Sequence, residues 1–169
     1  FEAADIQPDI VVLSKAISGY GLPMSLVLMR PELDQWKRGE ETATFRGHNL
    51  AFVTAAEAIG YWETEDFARE IRAKGATVSQ RLEELCQSLP EAGLRHRGYG
   101  LIQGLELPDP AVAAAVVRHA FAGGLIIELC GPGNNVLKLL PPLVIEADEL
   151  DEGLSILERS LRSALADPT

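Results

Sequence analysis

Cysteine, histidine and aromatic side chains are scarce in this chain of 169 residues, which has two cysteines, three histidines and an aromatic fraction of 6%. Cys86 and Cys130 stand far apart and match no metal or redox spacing, and His48, His96 and His119 are scattered, so neither a metal site nor a disulfide framework is legible. No apolar run is long enough to span a bilayer, and the start lacks the basic-then-apolar pattern of a secretion signal. Positive charge is also short, with 15 Lys and Arg against 25 Asp and Glu and a formal net charge of −10. That balance argues against nucleic acid and against an anionic membrane as partners, since both call for clustered Lys and Arg. Internal repeats and low-complexity segments are absent too. What remains is the composition of a cytoplasmic globular protein with reduced thiols and a real core.

The stretch around which the rest is organised is Asp9-Ile10-Val11-Val12-Leu13-Ser14-Lys15, followed by Ala16-Ile17-Ser18-Gly19-Tyr20-Gly21-Leu22-Pro23. A short unbroken apolar run with three β-branched residues predicts a strand buried on both faces. Lys15 then sits at the strand's exit, where a partly shielded amine can be tuned for Schiff-base chemistry with a carbonyl. On these residues alone, the solvated end of a strand is the commoner meaning of such a lysine. Because the chain opens on Phe1 and reaches this strand within about ten residues, the neighbouring strands of a sheet are expected from a longer chain or from another polypeptide.

Leu26-Val27-Leu28-Met29 predicts a second strand, and Pro31 the first turn of a short helix through Trp36. Residues 37–44 read as an exposed loop. In Thr44-Phe45-Arg46-Gly47-His48-Asn49, Gly47 permits an unusual backbone angle and Asn49 can cap the next helix, whose N-terminus is a candidate anion site with Thr44 or Arg46 as added donors. The helix over 50–62 carries so many small residues that something must approach it closely, through subunit contact or tight internal packing. Thr64 caps a long helix to about Leu89, with apolar positions Phe67, Ile71, Val78, Leu82, Leu85 and Leu89. Strands are predicted over 94–97, 101–107, 125–129 and 136–140, with helices over 110–122 and 148–165. Gly98, Gly100 and Gly104 read as bend and bulge positions, because a dinucleotide fingerprint needs a helix opening inside it and here a strand follows. Residues 1–62 therefore look like the tail of an α/β domain and residues 63–169 like a compact α+β domain.

Three blocks in order, Pro8-Asp9-Ile10-Val11-Val12-Leu13-Ser14-Lys15, Thr44-Phe45-Arg46-Gly47-His48-Asn49-Leu50-Ala51 and Leu139-Leu140-Pro141-Pro142-Leu143, together with Arg97-Gly98-Tyr99-Gly100-Leu101-Ile102-Gln103-Gly104, resemble the C-terminal part of the class III aminotransferases. The resemblance implies the α/β fold of pyridoxal-phosphate enzymes of fold type I, the aspartate-aminotransferase fold: the end of the large cofactor-binding domain, then the small domain. Within the family, the wording of 13–28 and 31–55 is most similar to the branch that interconverts diaminobutyrate and 2-oxoglutarate with aspartate 4-semialdehyde and glutamate, feeding ectoine or certain siderophores.

The resemblance makes Lys15 the residue that binds pyridoxal 5'-phosphate as a Schiff base and shuttles the substrate proton. Thr44 matches the threonine that bonds the cofactor phosphate of the neighbouring subunit, which implies a homodimer with shared sites. Lys138 stands where several relatives have an arginine for a substrate carboxylate; a lysine lacks the bidentate fork. Arg46 is a second candidate for substrate. The family's phosphate-binding turn, ring-stacking aromatic and pyridine-nitrogen aspartate have no counterpart in these residues, so the chain alone is expected not to transaminate. The alternatives are another ω-aminotransferase, an aminomutase, or an inert packing or dimerisation module.

Overall fold

Two strands open the computed structural model, which describes residues 1, 4–19, 21–44 and 46–167. Tyr20 and Phe45, each inside a stretch singled out by sequence, lie outside the described residues. β1 (Ile10–Ser14) and β2 (Ser25–Met29) pair antiparallel from Ile10↔Met29 to Ser14↔Ser25. The expectation of burial on both faces fails: Val11 and Leu13 are half-buried, but Ile10 and Val12 are 51% and 71% exposed. A β-branched apolar run shows what a strand can tolerate, whereas burial needs covering layers, and β2 is β1's one strand partner among the described residues.

After β2, the helix expected through Trp36 is only a 3-10 turn, Pro31–Leu33, because Asp34 leaves helical geometry at φ −80°, ψ 78°. α1 (Asn49–Gly60) starts behind Gly47, whose φ of +84° turns the chain two residues ahead of the expected cap. His48 therefore caps the helix in place of Asn49, its Nδ1 accepting the Ala51 N–H at 3.2 Å. α1 buries Ala51 and Ala55. Its small residues admit Gly19, where an added Cβ would stand 2.4 Å from the Ala58 Cβ and 3.3 Å from the Thr54 carbonyl. The close approach inferred from composition is thus met by tight internal packing. Past α1, the rings of Tyr61 and Trp62 pack on Phe67 at 5.3 and 5.0 Å.

α2 (Glu65–Ser88) begins behind Thr64, whose Oγ1 accepts the Asp66 N–H at 3.4 Å. The chain divides into two compact units, Phe1–Phe67 and Ala68–Thr169, with the division inside the first turns of α2.

In the second unit β3 (Arg95–Tyr99) and β4 (Ile102–Glu106) form a hairpin, bent where Gly98 and Gly100 take φ of +149° and +56°. α3 (Pro110–Ala122) is capped by Asp109, which accepts the Ala111 N–H at 2.8 Å. β5 (Glu128–Cys130) is shorter and later than the strand expected over 125–129, since the Leu125 N–H is still closing α3 on the Ala120 carbonyl at 2.8 Å. β6 (Val136–Leu139) follows, then α4 (Ala147–Ala166) behind a Glu146–Glu149 capping box. The sheet runs β3-β4-β6-β5, antiparallel throughout. Val78, Leu82 and Leu85 of α2 join Leu105, Val116, Leu137, Leu157 and Leu161 in one core, each large side chain contributing roughly 1.5–3 kcal/mol on burial. No helix of the described residues is long and apolar enough to cross a membrane.

Buried Gln103 ties this unit together. Its Nε2 donates to the carbonyls of Gly75, at 2.8 Å, and Gly100, at 2.6 Å, and its Oε1 accepts from His96 Nε2 at 2.6 Å. Since the amide oxygen only accepts, the His96 hydrogen lies on Nε2. Gly75 brings α2 against the hairpin turn backbone to backbone: an added Cβ would lie 2.8 Å from the Gly100 oxygen. Gln103→Leu removes one side-chain donor from each carbonyl and the acceptor of the His96 Nε2–H, and is expected to destabilise by about 1–3 kcal/mol, read by urea unfolding. Gly75→Ala is expected to destabilise by about 1–3 kcal/mol despite alanine's better helix propensity; a stabilised Gly75→Ala protein would contradict the backbone contact.

Candidate active site

The site begins where β1 ends. Ser14 is the last residue paired with β2, and Lys15 follows at φ +60°, in the left-handed region that residues with a Cβ avoid. Lys15 opens a 3-10 turn to Ser18 that Gly19 closes at φ +74°, its N–H donating to the Ala16 carbonyl at 2.9 Å. The exposed Lys15 lines a recess with Ala16, Gly19, Gly21, Leu22, Pro23 and Met24. In the same turn Ser18 is wholly buried, and its hydroxyl has no hydrogen-bond partner among the described residues.

Thr44 lies in the turn before α1, in a broader recess shared with Arg46, Gly47, His48 and the residues of β2. The two recesses have Pro23 and Met24 in common, so the structure sets Lys15 and Thr44 on adjoining sides of one wall. Arg46 is turned back on its own loop, donating to the Glu41 carbonyl at 3.0 Å and pairing with the Glu41 carboxylate. One of the N–H groups at the start of α1, that of Ala51, is already taken by His48.

Lys138 lies in the second unit, on β6 directly across from Glu128 of β5, and its Nζ meets the Glu128 Oε2 at 2.5 Å. The bond and the opposite charge hold the Glu128 carboxyl below its ordinary range and the Lys138 ammonium above its own. Both groups stand at an apolar cavity of about 410 Å³ lined by Val78, Leu125, Ile127, Leu139, Leu154 and Leu157 among others.

Two of these features were missed by sequence reasoning. Glu128 could have been found by counting outward from the turn at 131–135, since that turn pairs Cys130 with Val136 and hence Glu128 with Lys138. The seat of Gly19 on Ala58 left a weaker signal, a run of small residues that called for a close neighbour without naming it.

Residues 1–161 match the family described as Aminotransferase class-III. Over 169 residues the chain is 53% identical to a diaminobutyrate–2-oxoglutarate transaminase of Bordetella parapertussis, covering 99% of this chain and 39% of that protein. Over 167 residues it is 50% identical to the enzyme of the same name from Wolinella succinogenes, again covering 99% of this chain and 39% of the relative. Among solved structures, an ornithine aminotransferase of Toxoplasma gondii with partial occupancy of PLP at its active site superposes with a TM-score of 0.85, at 26% identity, covering 99% of this chain and 40% of that one. The chain thus spans about two fifths of the length of the curated relatives it matches. The match to the family over almost every residue, on a fold shared with a pyridoxal-phosphate enzyme, shows that this chain belongs to the class III aminotransferases.

Proposed function

We propose that this chain serves a pyridoxal-phosphate-dependent transamination, as the C-terminal part of a longer polypeptide, in which diaminobutyrate and 2-oxoglutarate are interconverted with aspartate 4-semialdehyde and glutamate. The 53% identity to a transaminase of that name carries the substrate choice. The residues present fit the cofactor: a primary amine lines a recess at a strand's exit, as an aldehyde requires, and a hydroxyl stands in the turn before a helix, as a phosphate requires. When bound, the cofactor supplies an electron sink next to the substrate carbon. Lys15 Nζ would hold the cofactor as a Schiff base with its aldehyde and would be the base that moves the substrate proton. Thr44 donates its hydroxyl to the phosphate of a neighbouring copy, which makes the working form a homodimer with shared sites, acting in the cytoplasm for ectoine or siderophore synthesis.

The exposed apolar residues of the first unit, among them Ile10, Val12, Val27, Leu28 and Val53, support the view that further protein covers this face. Residues 1–62 and 63–169 correspond on this reading to the end of the large domain and to the small domain. Lys138 is proposed to hold a substrate carboxylate at one point, in competition with Glu128. Arg46 would need to leave Glu41 before it could do the same.

In the full-length protein, Lys15→Ala is expected to abolish the visible absorption of the bound cofactor and to cut glutamate formation from diaminobutyrate and 2-oxoglutarate by at least about 100-fold. The 169-residue chain alone is expected to show no transamination; turnover by it would refute the need for the missing groups. Product from other diamines but none from diaminobutyrate would refute the substrate assignment.

Lys138→Met is expected to raise KM for 2-oxoglutarate with little change in kcat, and an unchanged KM would remove Lys138 from the site. Glu128 has a folded pKa lowered by Lys138, so the pair is intact above that value and lost as pH falls through it. An NMR titration should find the Glu128 carboxyl below the ordinary glutamate midpoint and see Lys138→Met return it there.

A further inference from the structure

Lys15 is one of three described non-glycine residues with positive φ, the others being Asp5 and Asn134. Aspartate and asparagine tolerate that region through their short polar side chains, whereas lysine has no such relief. A disfavoured backbone persists only where its surroundings over-determine it. On the N-terminal side the constraint is the strand register, which runs to Ser14↔Ser25. On the C-terminal side the chain passes through wholly buried Ser18 and then Gly19. A Cβ on Gly19 would overlap the Ala58 Cβ at 2.4 Å, and its φ of +74° is itself suited to glycine.

We infer that Gly19, seated on Ala58 of α1, is a positioning residue for Lys15, and that this contact holds the lysine backbone in its left-handed conformation and so aims the amine into its recess. The inference rests on the reading that Lys15 is the reacting amine. It makes the smallness of α1 at Ala58 part of the active-site design, although neither Gly19 nor Ala58 offers any chemistry of its own. A methyl group added at Gly19 must lift the turn from the helix, since the Thr54 carbonyl 3.3 Å away closes the alternative path.

The test uses the full-length protein, with Gly19→Ala, the double variant Gly19→Ala with Ala58→Gly, and Gly39→Ala as the control. Gly39 has a comparable φ of +89° but open space around it, so its substitution reports the backbone penalty without the contact. In the cofactor-free protein, Gly19→Ala is expected to speed amide hydrogen exchange over residues 15–19 at least tenfold while α1 stays protected. In the loaded enzyme it should lower kcat at least tenfold with KM within twofold. The double variant should recover most of both losses, and Gly39→Ala should change neither. Exchange and kcat within twofold of wild type for Gly19→Ala would overturn the inference, as would losses that Ala58→Gly fails to relieve. Activity that survives Lys15→Ala would instead overturn the functional reading, and the exchange measurement would still decide whether the helix holds the turn.

Discussion

The left-handed backbone of Lys15 is the constraint on which the candidate site depends. A lysine that simply continued β1 would follow the alternation of the strand, with its direction set by the pleat. At φ +60° the chain breaks from that alternation at the residue where β2 stops pairing and enters a tight turn. The turn is short, its hydrogen bond from Gly19 to Ala16 is local, and its stability therefore comes from what it leans on. Strand register and helix packing meet across this one residue, which is how a small two-stranded sheet can present an amine with a defined direction.

The two units differ in how far they satisfy themselves. The second has one core drawn from three helices and a four-stranded sheet, and its least expected polar group, Gln103, is bonded on both ends of its amide. That network ties the hairpin to α2, because one side chain bonds the Gly75 carbonyl of the helix and the Gly100 carbonyl of the hairpin turn. The first unit leaves Ile10, Val12 and Val27 exposed and a buried hydroxyl on Ser18 unpartnered among its described residues. The candidate Schiff-base lysine and incomplete burial thus fall in the same part of the chain, while the second unit holds Lys138 and an apolar cavity on its own core.

Much of this was legible in the sequence, for reasons that can be named. Long amphipathic helices such as α2 and α4 announce themselves through period and caps, and the antiparallel pairs through short apolar runs between turn residues. The position of Lys15 at a strand's exit could be read directly, and the family could be read from motif blocks. Its backbone conformation could not, because φ at a lysine is decided by contacts made elsewhere in the fold. β1 was misjudged for a related reason: Val11 and Val12 have the same composition, and only the layers around them make one half-buried and the other exposed. Gln103 and Glu128 were overlooked because a polar residue in a strand carries no local sign of its partner, whether that is Gly75 far along the chain or Lys138 across a turn.

The most direct test of the account is the site at which the cofactor attaches. Loading full-length protein with pyridoxal 5'-phosphate, reducing with borohydride and mapping the peptides asks which of Lys15, Lys37, Lys74 and Lys138 carries the label. The account predicts the phosphopyridoxyl group on Lys15 and its loss from every peptide of this chain in Lys15→Ala. Stoichiometric label on another lysine, or none on Lys15 in a protein that binds the cofactor, would contradict it.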